Sequence, residues 1–68
     1  MKEVTLNYVI ENIKQMVTDP LCVIFFCTWK VKGGEIRLNG EYVQVKRDSD
    51  KYFSFGEHWQ SFISRVGE

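Results

Sequence analysis

The side chains most able to bind something lie between Phe26 and Tyr52: the cations Lys30, Lys32, Arg37 and Lys46, the phenols Tyr42 and Tyr52, the amide of Gln44 and the ring of Phe26. Cations beside planar rings serve two chemistries. Against single-stranded nucleic acid, the cations track phosphates and the rings stack on bases. Against a protein, Tyr, Phe and Arg are the residue types that fill the centre of an interface.

The remaining reactive groups point to little. His58 is the only histidine, and the spacing around it predicts the first turn of a second helix, facing solvent beside Trp59, with no neighbour that would make it a base. Cys22 and Cys27 sit in what reads as one strand, about 17 Å apart at about 3.3 Å per residue. That excludes a disulfide, whose Cα atoms lie within about 7 Å; two small hydrophobes in a reducing compartment is the expectation. Those cysteines and His58 are too few and too oddly spaced for a metal site. Asp48 and Asp50 share a turn, where short carboxylates bond their own backbone. Gly33-Gly34 lacks the Lys-Ser/Thr and helix of a phosphate loop, so it reads as a turn. Trp29 and Trp59 read as core. No metal, no cofactor and no catalysis are expected, because a thin two-layer domain has little room for a concave pocket.

The elements that must position the binding residues follow from periodicity. Leu6, Val9, Ile10, Ile13, Met16 and Val17 recur at helical spacing. Thr5 is placed to cap this helix, Val4 and Val9 to staple its entry, and Asp19-Pro20 to end it. Residues 21–31 are rich in β-branched and aromatic side chains and read as a strand. Gly33-Gly34 and Asn39-Gly40 then read as two-residue hairpin loops. The first loop sets Lys30 opposite Arg37 and Trp29 opposite Leu38; the second sets Ile36 opposite Val43 and Arg37 opposite Tyr42. A like-charge pair of Lys30 and Arg37 is costly on a bare sheet and would be relieved by an anion. A three-residue loop at Asp48-Ser49-Asp50 pairs Val45 with Phe53 and Lys46 with Tyr52. Trp59, Phe62, Ile63 and Val66 return to helical spacing, with Ser54 and Glu57 placed as a capping box.

The predicted fold is therefore α+β: a two-layer sandwich of one domain spanning residues 1–68, a four-stranded antiparallel meander with an N-terminal and a C-terminal helix on one face. One sheet face collects Val23, Phe25, Cys27, Trp29, Val31, Ile36, Leu38, Val43, Val45 and Phe53 for the helices to cover. The other carries Phe26, Thr28, Lys30, Lys32, Glu35, Arg37, Tyr42, Gln44, Lys46 and Tyr52, with Cys22 and Ile24 at its apolar end, and stays open. Strands followed by a helix that packs through Trp59 are similar in element order, over residues 21–66, to small single-stranded-DNA-binding coactivator domains. The leading helix departs from that plan, and the likeness is one of topology.

Nine basic and nine acidic residues in 68 leave no global charge to draw the chain to nucleic acid or membrane. The apolar run from Leu21 to Cys27 is far shorter than the roughly 20 residues of a membrane span, and the polar residues at 7, 11, 12 and 14 interrupt any signal-peptide core; a cytoplasmic protein is expected. The functional expectation is a small non-enzymatic binding module, a regulator or inhibitor of a larger machine such as phages make. It would engage a protein partner or form a homodimer through Phe26, Lys30, Arg37, Tyr42, Gln44, Lys46 and Tyr52. The alternative is single-stranded nucleic-acid binding by the same face.

Overall fold

A computed structural model describes residues 2–19 and 26–67. Helix α1 (Leu6–Thr18) leads into strands β1 (Phe26–Val31), β2 (Gly34–Asn39), β3 (Tyr42–Arg47) and β4 (Glu57–His58), and helix α2 (Trp59–Val66) closes the chain. The strands form one antiparallel sheet in sequence order. This is the expected α-β-β-β-β-α architecture. Cys22, Val23, Ile24 and Phe25, predicted as the first half of the leading strand, lie outside the described residues.

Helix α1 begins as its sequence dictates. The Thr5 side chain accepts a hydrogen bond from the Tyr8 amide, satisfying one of the donors a helix start leaves without a partner. Its periodic face delivers Val9, Ile10 and Ile13 to the interior, and Val4 packs on the same core. That core joins Val9 and Ile13 to Trp29, Ile36, Leu38 and Val43 from the sheet and Phe62 from α2. Each such side chain withdrawn from water is worth about 1.5–3 kcal/mol. Trp29 is buried, and Trp59 packs on the cluster from its edge. The N-terminal segment adds a contact the periodicity did not signal: Glu3 makes a parallel bridge to Lys30, and the Val4 amide donates to the Lys30 carbonyl at 2.8 Å.

Both hairpin loops sit one residue away from where the dipeptide signals place them. The first loop is Lys32-Gly33, with Val31 opposite Gly34; the second is Gly40-Glu41, with Asn39 opposite Tyr42. Gly33 (φ 85°) and Gly40 (φ 64°) take the left-handed positions. Gly40 thus stands first in its loop, as the II′ hairpin turn requires, and Asn39 stays in the ladder. Gly34 serves the sheet, not the turn: a Cβ there would collide with the carbonyl oxygen of Lys46. Moving each loop by one residue moves each cross-strand partner by two, so the division of side chains between faces is unchanged.

The third connection departs further. The Ser54 amide donates to the Val45 carbonyl and the Val45 amide to the Ser54 hydroxyl, at 2.9 and 3.2 Å. The Arg47 and Asp50 backbones close a tight turn before it, with the Asp50 amide on the Arg47 carbonyl at 2.9 Å. The expected pairing of Val45 with Phe53 and Lys46 with Tyr52 does not form. Strand β4 instead forms at 57–58, opposite Val43 and Tyr42. Ser54, occupied on the β3 edge, does not cap α2, and no capping box with Glu57 exists. The cap is His58, whose Nδ1 accepts from the Gln60 amide at 3.2 Å.

Candidate functional site

The open sheet face is organised in three cross-strand rows. Phe26, Asn39, Tyr42 and His58 form the first; Thr28, Arg37 and Gln44 the second; Lys30, Glu35 and Lys46 the third. In this register Lys30 faces Glu35, so the expected like-charge pair with Arg37 is replaced by opposite charges. The reason is the loop shift described above. Lys46 Nζ lies 3.9 Å from a Glu35 carboxylate oxygen, and Lys30 Nζ donates to Asp48 Oδ1 at 3.1 Å and to the Gly34 carbonyl at 3.1 Å. The two lysines expected to bind an anion therefore have carboxylates of their own. Lys32 is exposed in the first loop, away from the rows.

Arg37 is different. Its guanidinium carbon stands 4.0 Å from the ring centroid of Phe53 and 5.9 Å from that of Phe26. Its Nε donates to Gln44 Oε1 at 3.0 Å, and Gln44 Nε2 reaches the Ser54 carbonyl at 3.4 Å. The guanidinium thereby lies over the Phe53 ring, more distantly over the Phe26 ring, and is pinned through an amide to the loop that carries Phe53. No carboxylate and no acceptor for its Nη groups is supplied by the described residues. Phe53, expected on the helix-covered face, belongs here. The longer third connection turns it to the open side, where a cation–π contact holds it.

Phe26 and Tyr42 are each a little over half exposed, at 57% and 52%, and Tyr52 is exposed at 80%. Tyr42 meets the His58 ring edge-on, centroids 6.1 Å apart, and His58 stacks on Trp59 at 5.7 Å. Of the expected site residues, Arg37 and Gln44 lie together in the middle row with Phe26 against Arg37, whereas Tyr42 stands in the end row against His58. Lys30 and Lys46 flank the middle row as ion-paired members, and Tyr52 stands out in the loop. Sequence reasoning missed Phe53 as a member. It also missed Phe55, fully exposed one residue beyond Ser54. The Ser-Phe-Gly run around Phe55 was absorbed into the cap motif, so no signal set it apart.

Three further ion pairs lie off the rows among the described residues: Lys14 with Glu11 along α1 at 3.9 Å, and two that lower a carboxyl pKa. Arg47 holds the Asp50 carboxyl below its ordinary range, through a side-chain and a backbone hydrogen bond. Arg65, with help from the Ser61 hydroxyl, does the same for Glu57. Both stabilise local structure: the third turn and the junction of β4 with α2. A cavity of about 300 Å³ opens between β3 and α2, where β4 is too short to cover the edge, and Ile36, Val43, Val45 and Phe62 line it. Its wall is apolar apart from the self-paired Glu57 and Arg65 and the Ser54 already bonded to β3. Among the described residues no three His, Cys, Asp or Glu side chains gather as metal ligands, and no helix is long and apolar enough to cross a membrane.

The fold and face define a small α+β domain with one open, aromatic and basic sheet surface. Comparison with known proteins finds no matching family model, no matching curated protein and no matching solved structure.

Proposed function

We propose that this chain is a non-enzymatic binding module that regulates or inhibits a larger assembly by docking a protein partner on its open sheet face. The observation that carries the reading is the Phe26–Arg37–Phe53 cluster: an arginine braced by two rings and an amide, at the centre of a half-exposed surface. Such clusters supply binding energy cheaply, because few rotatable bonds remain to be frozen and the rings exclude water from the charge.

The internal pairing of Lys30 and Lys46 weighs against the nucleic-acid alternative. Phosphate tracking needs several free cations, and the rows leave Arg37 as the one without a carboxylate among the described residues. The rings of Phe26, Tyr42 and Tyr52 suit a protein interface as well as they suit bases.

Crosslinked capture from the source cell, run in parallel with wild type, Phe26→Asp and Gln15→Lys on the exposed face of α1, tests the reading. A partner retained by wild type and Gln15→Lys but lost by Phe26→Asp supports it. A partner indifferent to Phe26→Asp removes the sheet face from the account. Sedimentation across a concentration series shows whether that partner is a second copy of the chain. A labelled oligonucleotide bound at low salt and lost through Arg37→Ala would put the nucleic-acid alternative ahead of the protein-binding reading.

A further inference from the structure

We propose that Arg37 is a carboxylate receptor: the partner presents an aspartate or glutamate side chain with apolar neighbours, and that carboxylate docks end-on across the two Nη groups of Arg37. The inference rests on the reading of the open face as a protein-binding surface and names the chemistry that surface selects.

Three observations lead there. The first is the inventory of donors. A guanidinium carries five N–H groups in a planar fork. Nε is committed to Gln44 Oε1, which closes the side-on approach that uses Nε with one Nη, while the Nη pair has no acceptor among the described residues. A planar, two-oxygen acceptor matches that remaining edge.

The second is rigidity. Phe53 beneath the guanidinium, Phe26 beside it and Gln44 at Nε fix its plane before any ligand arrives. Little side-chain entropy is left to lose on binding. The same rings would shield the ion pair from water and present apolar surface to whatever flanks the incoming carboxylate.

The third is the charge around it. A phosphate carries close to two negative charges and is held where several cations converge. Here the neighbouring row reads plus, minus, plus along Lys30, Glu35 and Lys46, and Asp48 further neutralises Lys30. One guanidinium in a locally balanced field complements one carboxylate and leaves a dianion under-compensated.

The test is nitrogen-15 NMR of the full chain, following the Arg37 Nε–Hε resonance and the Phe26 and Phe53 rings. The probes are the blocked tripeptide Phe-Glu-Phe, its Phe-Gln-Phe counterpart and inorganic phosphate. The expected result is a saturable shift with the glutamate peptide, weakened at least about tenfold by glutamine and by added salt. Arg37→Gln and Arg37→Lys should both abolish it while their amide spectra elsewhere stay unchanged; lysine keeps the charge but not the fork. Equal binding of the two peptides, tighter binding of phosphate, or full affinity in Arg37→Lys would each overturn the proposal. A captured partner that depends on Phe26 but not on Arg37 would overturn this inference alone, whereas a partner indifferent to Phe26 would remove the underlying reading.

Discussion

Gly34 and the backbone carbonyl of Lys46 approach so closely across β2 and β3 that a Cβ on Gly34 would overlap that oxygen, although the residue paired with Gly34 is Arg47. The neighbouring Gly33 meets nothing within 4 Å but holds a φ of 85°. The two adjacent glycines are therefore needed for unrelated reasons, one steric and one conformational. Gly33→Ala should cost about 1–2 kcal/mol, the penalty of a left-handed L-residue, and Gly33→Asn less, because Asn tolerates that region. Gly34→Ala should cost more than either, since the obstacle is backbone and cannot rotate away. Urea denaturation midpoints of the three variants check the order; an equal cost for both alanines would mean that Gly34 sits in the turn.

The stack of Arg37 on Phe53 predicts a measurable coupling. A double-mutant cycle of Arg37→Met and Phe53→Leu should return an interaction energy of about 0.5–1 kcal/mol, the range for a partly exposed cation–π pair. Phe53 placed on the helix side would give a coupling near zero with Arg37 and a larger single-mutant loss from the core. Equilibrium unfolding of the four proteins decides between the two placements.

How far the sequence determined the structure can be read from these same residues. Alternation along β1 to β3 separates Trp29, Ile36, Leu38 and Val43 from Phe26, Arg37, Tyr42 and Gln44 whatever the loop, because a one-residue shift of a turn moves partners by two and preserves parity. Faces were thus legible. Partners were not, since a Gly-Gly or Asn-Gly pair permits more than one loop and the choice was set by the backbone approach at Gly34 and by the II′ geometry at Gly40. The third connection was least legible. Ser54 can cap a helix or bind a strand edge, and only tertiary contact with Val45 selects the second. Phe53 and His58 were misplaced as a consequence, and with them the aromatic floor beneath Arg37.

Acid should weaken the junction of β4 with α2. Glu57 accepts from Arg65 Nη2 and from the Ser61 hydroxyl, both at 2.8 Å, and these bonds lower its folded-state pKa. For a carboxyl lowered in the folded state, the stabilisation is complete above the unfolded-state pKa and is lost as pH falls through the folded one. Glu57→Gln should therefore melt below wild type at neutral pH, and the two melting curves should converge in acid. A gap that persists unchanged at low pH would assign the effect to packing instead of charge. Asp50, lowered by Arg47, provides a second case of the same sign, in which Asp50→Asn narrows toward wild type over the same acid limb.

The charge row offers a direct assay of register. Lys30, Glu35 and Lys46 stand side by side on successive strands, so Glu35 separates two cations. Glu35→Lys should place three like charges in line and destabilise the sheet by about 0.2–1 kcal/mol for each neighbour affected, an effect that added salt reduces. Adding Lys46→Glu to Glu35→Lys restores one opposite-charge pair, between positions 35 and 46, while positions 30 and 35 stay alike, and should recover part of the loss. In the register that a Gly33-Gly34 loop would impose, residue 35 faces Lys32 and residue 30 faces Arg37. Lys30→Glu would then relieve a repulsion and stabilise the protein. In the register observed here the same substitution sets two carboxylates opposite each other and removes the hydrogen bond to Asp48, so it should destabilise. The sign of the Lys30→Glu effect on the melting temperature therefore distinguishes the two pairings. It bears equally on binding, because the pairing of Lys30 with Asp48 and of Lys46 with Glu35 leaves Arg37 as the one cation of the three rows without a carboxylate among the described residues.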